Sequence, residues 1–323
     1  MKKIVLMVLI IFPSKSLPAY SPPSQPSSNP YLETVTHACI YAGVAGLIVL
    51  LGKGISALAQ TVSSPIIQKE PLTWAGPLPR AFERILDLQR HPEIFKKFEM
   101  ESPHGFLLYG PPGTGKTMLA HVLSQKLNIP LLKESSGNFI SIYQGSGTSY
   151  LSMLLKKAHS VPSCGKPFKC VVFIDEIDGI TSRKESPNRE ELRIAEHLLT
   201  AISAPENRDL LFVGATNIFE TIDKALVRPG RLTPVYVGLP SPANRKALFE
   251  HFLKKHHFPA PNISPILLAE STDGFSCADI KSIIEEAIYR HIKHPTYLPD
   301  LCLQHCIDTH KRNLCNHERN KKL

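Results

Sequence analysis

One stretch restricts this chain more than any other: Gly110-Pro-Pro-Gly-Thr-Gly-Lys-Thr117, which fits G-x-x-x-x-G-K-[ST]. Before it, Gly105-Phe-Leu-Leu-Tyr109 reads as a short buried strand, and after it Met118 to Leu127 carries apolar residues at helical spacing. The stretch is therefore a strand, loop, helix unit. Its glycines let the backbone curl so that N–H groups face a polyphosphate, and the positive end of the following helix adds to that field. Pro111, Pro112, Gly113, Thr114 and Gly115 form the cradle, Lys116 can reach the β- and γ-phosphates, and the Thr117 hydroxyl can hold Mg²⁺.

The rest of the chain has to be compatible with that unit. At 323 residues and 43% hydrophobic content it can bury a full core. The formal charge of +9 could suggest nucleic acid, but part of it sits in Lys311, Arg312, Arg319, Lys321 and Lys322, which read as a solvated tail. No nucleic-acid module is recognisable. Seven cysteines, an odd number with no small-domain spacing, predict free thiols in a reducing compartment.

Residues 1–19 combine Lys2 and Lys3 with the apolar run Ile4 to Phe12, the pattern of a signal peptide or a signal anchor. Residues 20–34 are a Pro/Ser-rich linker. Residues 35–52 contain a second apolar run from Ala38 to Leu51, shorter than the ~20 residues usual for a span, so a buried or interfacial helix competes with a membrane helix. The membrane reading is favoured because it returns an ATP-dependent domain to the cytoplasm, with Lys2, Lys3 and Lys53 on the inner side. Residues 53–73 read as a linker.

From Trp74 the composition turns globular, with one amphipathic helix expected from Arg80 to Phe98. Strands follow at Ile129 to Glu134, Cys170 to Ile174 and Leu210 to Ala215, the last two being continuous apolar runs of the kind buried on both faces of a parallel sheet. The second of these three delivers Asp175-Glu176-Ile177-Asp178. A carboxylate pair at a strand end can hold Mg²⁺ through Asp175 and position the attacking water through Glu176. The last delivers Thr216-Asn217, where Asn217 can hydrogen-bond water or the γ-phosphate without adding charge.

With these motifs in order, the chain resembles the AAA ATPases of the AAA+ superfamily over about Trp74 to His310. Gly110 to Thr117 resembles Walker A, Val171 to Asp178 Walker B, Asn217 the sensor-1 position, and Asp223-Lys-Ala-Leu-Val-Arg-Pro-Gly-Arg231 the second region of homology. The resemblance implies an α/β fold: a three-layer αβα P-loop domain with a parallel five-stranded sheet over 74–240, a helical lid over 241–310, and a basic tail over 311–323, preceded by hydrophobic segments. It implies ATP and Mg²⁺ as cofactors, nucleotide contacts at Gly76, Gly274 and Ala278, and Arg228 and Arg231 reaching a neighbouring subunit's site in a hexameric ring. Tyr143-Gln144-Gly145 falls at the family's substrate-gripping pore loop, with Gln144 where an apolar residue is usual.

In the lid region, Gly274-Phe-Ser-Cys-Ala-Asp-Ile280 matches the family's sensor-2 turn with Cys277 in place of Gly, and Phe252 falls where the family has a nucleotide-facing His. Cys302, His305, Cys306, His310, Cys315 and His317 could converge on zinc, but a helix burying its cysteines is the stronger reading. His317-Glu318 begins H-E-x-x-H, yet position 321 is Lys, so no protease activity is expected.

The architecture resembles bacterial membrane-bound AAA metalloproteases. The sequence thus predicts an inner-membrane ATPase with its catalytic domain in the cytoplasm, protein clients, and room for a separate protease partner. The alternative is a nucleotide-gated protein-binding module with little turnover.

Overall fold

The computed structural model describes residues 74–99, 103–140, 147–163, 165–181, 189–258 and 263–321, all within one compact unit, Gln60–Leu323. The expected signal, linkers and membrane helix of residues 1–73 lie outside the described residues. Among those described, no helix is long and apolar enough to cross a membrane.

The amphipathic stretch at the start forms two helices rather than the one expected. Helix α1 (Arg80–Arg90) buries Phe82, Ile85 and Leu88 along one face, and α2 (Pro92–Lys97) begins anew. Pro92 forces the break: the residue before a proline avoids helical backbone, and His91 sits at φ −134°, ψ 56°.

Five parallel strands follow in the order β2-β3-β4-β1-β5: β1 (Gly105–Tyr109), β2 (Leu131–Ser135), β3 (Cys170–Asp175), β4 (Leu210–Thr216) and β5 (Leu232–Tyr236). The crossovers are α3 (Lys116–Leu127), α4 (Gly147–His159), and the pair α5 (Asp178–Thr181) and α6 (Arg189–Ser203). Strand parity divides the core. Cys170, Val172 and Ile174 pack with Leu151, Leu154, Ile194 and Leu198 of α4 and α6 on one face. Val171 and Phe173 pack with Leu119 and Leu123 of α3 and with Phe82 and Ile85 of α1 on the other. This is the expected three-layer αβα arrangement.

The C-terminal helices are α7 (Pro242–Lys255), α8 (Pro265–Ser271), α9 (Cys277–Lys293) and α10 (Pro299–Lys321). They enclose a separate core of Phe249, Leu268, Phe275, Ile280, Ile284, Leu303 and Ile307. Cys302 and Cys306 lie in that core, so the cysteine-burying reading of α10 stands, and no metal-holding cluster occurs among the described residues. Helix α10 runs through to Lys321, whereas the sequence reading begins a basic tail at residue 311.

Candidate nucleotide site

Three strands end on one edge of the sheet. Because β4 lies between β3 and β1, Asn217, the residue that follows it, emerges between Asp175 and Gly110, at the edge where open parallel sheets take their ligands.

The loop after β1 is shaped by what surrounds it. Gly113 takes φ 75°, and a Cβ there would stand 2.7 Å from Ser276 Oγ and 3.0 Å from the Ala278 Cβ. The Ala278 N–H donates to the Gly113 carbonyl at 3.1 Å and the Cys277 thiol to that of Thr114 at 3.7 Å. The turn that begins α9 is thereby seated on the phosphate loop, with Cys277 in contact where the family has Gly. Ser276 and Asp279 form a reciprocal capping box that fixes this turn. Buried Thr114 closes the loop, donating through Oγ1 to the Pro111 carbonyl at 3.0 Å.

Lys116 folds back into the loop. Its Nζ donates to the carbonyls of Gly110 at 2.9 Å and Pro111 at 2.8 Å. Burial presses its ammonium below the usual range, opposed by the Asp175 and Asp178 carboxylates. Thr117 Oγ1 donates to Asp175 Oδ2 at 2.9 Å, joining the loop helix to the end of β3.

Glu176 is exposed and left-handed, at φ 52°. What holds it there is the next residue. Ile177 is 1% exposed, and its N–H donates to the Ala215 carbonyl of β4 at 2.9 Å. Its Cδ1 lies 2.9 Å from where a Cβ on Gly214 would be. Anchoring Ile177 leaves Glu176 turned outward at the strand end, a strained backbone maintained by its neighbours.

The two expected finger arginines differ. Arg231 Nη1 donates to the Ala225 carbonyl at 2.7 Å and its Nε to Ser203 Oγ at 3.0 Å. The Arg228 side chain is exposed and makes no hydrogen bond or ion pair among the described residues, while its backbone carbonyl accepts from the Arg231 N–H at 3.0 Å. Gly76, at φ 116°, packs against the Asn244 side chain at the start of α7, and Gly274 takes φ 79° ahead of the α9 turn. Phe252 turns its ring toward His251, 5.2 Å between centroids. Tyr143, Gln144 and Gly145 lie outside the described residues.

Two neighbours of the site went unnoticed in the sequence. A Cβ on Gly115 would meet the Trp74 ring at 3.3 Å, so the chain's single tryptophan lies against the phosphate loop. Lys133 of β2 places Nζ 3.7 Å from Asp175 Oδ2. Strand parity could have found it, since a lysine at the second position before the end of β2 shares a face with Asp175.

This set of groups suits a nucleoside triphosphate with a divalent cation. Turned loop N–H groups and a buried ammonium suit the phosphates, and the Thr117 hydroxyl and Asp175 carboxylate are the hard oxygen donors that Mg²⁺ takes.

Comparison with known proteins agrees. Residues 106–237 match the family "ATPase family associated with various cellular activities (AAA)". The chain is 34% identical to the ATP-dependent zinc metalloprotease FtsH of Lachnoclostridium phytofermentans over 209 residues, 63% of this chain and 35% of that protein. It is 36% identical to the proteasome-activating nucleotidase of Saccharolobus solfataricus over 222 residues, 66% of this chain and 54% of the relative. With the cell division cycle protein 48 homolog of Archaeoglobus fulgidus it shares 33% over 219 residues, 67% of this chain and 28% of the relative. The chain thus spans between about a quarter and a half of the length of these relatives. The AAA family binds ATP with Mg²⁺, the ligands for which the site is shaped, and this chain carries a nucleotide-binding ATPase domain of the AAA family.

Proposed function

We propose that the protein is a membrane-tethered, Mg²⁺-dependent ATP hydrolase that works as a homo-oligomeric ring, a hexamer, to remodel, extract or unfold proteins. Glu176 positions and activates the attacking water, Asn217 orients it, and the bound cation, held by Thr117 and Asp175, neutralises developing charge. Arg228 supplies fixed positive charge to the site of the next subunit. The observation that carries the reading is the contrast at this site. Lys116, Thr117 and Asp175 come together within one chain, while the Arg228 side chain is exposed and makes no hydrogen bond or ion pair among the described residues.

Client proteins are inferred from two relatives whose names join ATP or a nucleotide to proteolysis, a zinc metalloprotease and a proteasome activator. Tyr143 offers the grip on an extended chain, and a separate protease is a fitting partner. The tether is the apolar run within residues 35–52, which puts the domain on the cytoplasmic face of a bacterial inner membrane.

The test is ATP turnover per subunit for the full chain in detergent, followed over a range of protein concentrations. Turnover that rises with concentration and disappears in Arg228→Ala supports a ring with shared sites. Tight ATP binding without turnover at any concentration replaces this reading with a nucleotide-gated binding module.

A further inference from the structure

Lys133 is the only lysine or arginine in the five strands, and its position is set by pairing register. β2 and β3 run parallel with Lys133 beside Phe173 and Ser135 beside Asp175. Residues 133 and 175 therefore face the same side, toward α3, and Nζ comes within 3.7 Å of Asp175 Oδ2. That oxygen is the one that accepts from Thr117 Oγ1.

The site's other lysine, Lys116, also acts on Asp175 by charge, but its Nζ is held by two loop carbonyls and makes no ion-pair contact with that carboxylate among the described residues. His121, on α3, does not serve it either. Burial, and after it the Lys133 charge, hold that imidazole below its ordinary range and favour its neutral form. Among the described residues Lys133 thus makes the ion-pair contact with a carboxylate that also belongs to the divalent-cation site.

We propose that Lys133 is a built-in countercharge for Asp175 that competes with Mg²⁺ and sets how strongly nucleotide binding depends on the metal. Without the metal, Lys133 neutralises a carboxylate that would otherwise repel a polyphosphate. With the metal, the ammonium and the divalent cation contend for the same Oδ2, so part of the gain from Mg²⁺ is lost. Lys133 is a positioning residue in this account, acting through Asp175. The inference goes beyond the proposed ring and its clients and depends only on nucleotide binding.

The experiment compares ADP affinity of the full chain in EDTA and in millimolar Mg²⁺, read by calorimetry, with folding of each variant checked by thermal melts. The quantity of interest is the ratio of the two dissociation constants. Lys133→Met should weaken binding in EDTA and leave it equal or tighter in Mg²⁺, raising the ratio about tenfold, while Lys133→Arg keeps the wild-type ratio. In an Asp175→Asn background Lys133→Met should change the ratio by less than about twofold, since the charge it serves is gone. A ratio unchanged by Lys133→Met, with both constants shifting together, overturns the proposal. Should Lys133→Met not fold, Lys133→Gln carries the same expectation. Turnover and assembly do not enter, so a failed ring would leave this result standing, whereas absence of ADP binding in both buffers would remove the nucleotide site itself.

Discussion

Arg231 Nε donates to Ser203 Oγ at 3.0 Å, which ties the segment after β4 to the last residue of α6. Its second bond, to the Ala225 carbonyl at 2.7 Å, makes this guanidinium part of its own subunit's framework. Arg228, three residues earlier, has no such bonds among the described residues. The two arginines should therefore separate by variant. Arg231→Ala loses two hydrogen bonds from a charged donor and should cost about 1–2 kcal/mol in a denaturant titration. Arg228→Ala should stay within about 0.5 kcal/mol of wild type yet lose at least about 100-fold in assembled turnover. Equal stability losses would contradict the distinction.

Gly113 faces Ser276 so closely that an added methyl would lie 2.7 Å from its hydroxyl, on a backbone at φ 75°. Gly113→Ala should push the α9 turn off the phosphate loop and weaken ATP binding roughly tenfold, a loss of about 1.4 kcal/mol. Ser276→Ala removes the hydroxyl in the way, at about 1 kcal/mol for the lost helix cap. If contact is the cause, the double variant binds ATP better than the two single effects predict when added. Strict additivity would place the whole effect in the backbone.

Alkaline pH should destabilise the large domain through two buried acids. Cys170 is pushed up to about 12 from 9.0 by burial, with Asp209 adding to the shift and Lys169 opposing it. Tyr150 is also raised, first by burial and then by its bond to Glu134, to which it donates at 2.7 Å. Both groups are neutral when protonated. The unfolded chain gives up these protons first, so their contribution is complete below about pH 9 and declines as pH climbs toward the folded values. Urea midpoints should fall between pH 9 and 11 in wild type. Tyr150→Phe should lower the starting stability by about 1–2 kcal/mol, since buried Glu134 loses a donor, and together with Cys170→Ala should flatten the decline.

What the sequence revealed of all this follows from how locally each feature is determined. β1, β3 and β4 were legible because each is an apolar run buried on both faces, and the motifs at their ends inherited their positions. β5 was not placed. Among the described residues it pairs only with β1, and it contains Pro234, which an edge strand tolerates and which blurs any apolar run. The extension of α10 past residue 310 was missed because a largely polar helix shows little periodicity beyond its packed turns. Glu134 is the clearest case of information held elsewhere. It reads as the charged end of a strand but is 1% exposed, because Asn138 and Tyr150, outside the strand, both donate to it.

Glu176 joins strain to chemistry, and its variants should pull the two apart. A left-handed non-glycine residue costs about 1–3 kcal/mol, and Glu176 is kept there by the burial of Ile177 and its bond to Ala215. Glycine accepts this backbone freely but gives back about 0.5–1 kcal/mol of chain entropy on folding. Glu176→Gly should therefore be more stable than wild type by up to about 2 kcal/mol, and Glu176→Gln about equal to it. Both should bind ATP and lose roughly 10²–10⁴-fold in turnover, the range of a general base. Chemical denaturation read by Trp74 fluorescence, alongside phosphate release, measures both quantities. A Glu176→Gly variant no more stable than Glu176→Gln would mean that the strain in the turn is no larger than glycine's entropy loss of about 0.5–1 kcal/mol, and normal turnover in either would remove Glu176 from the reaction.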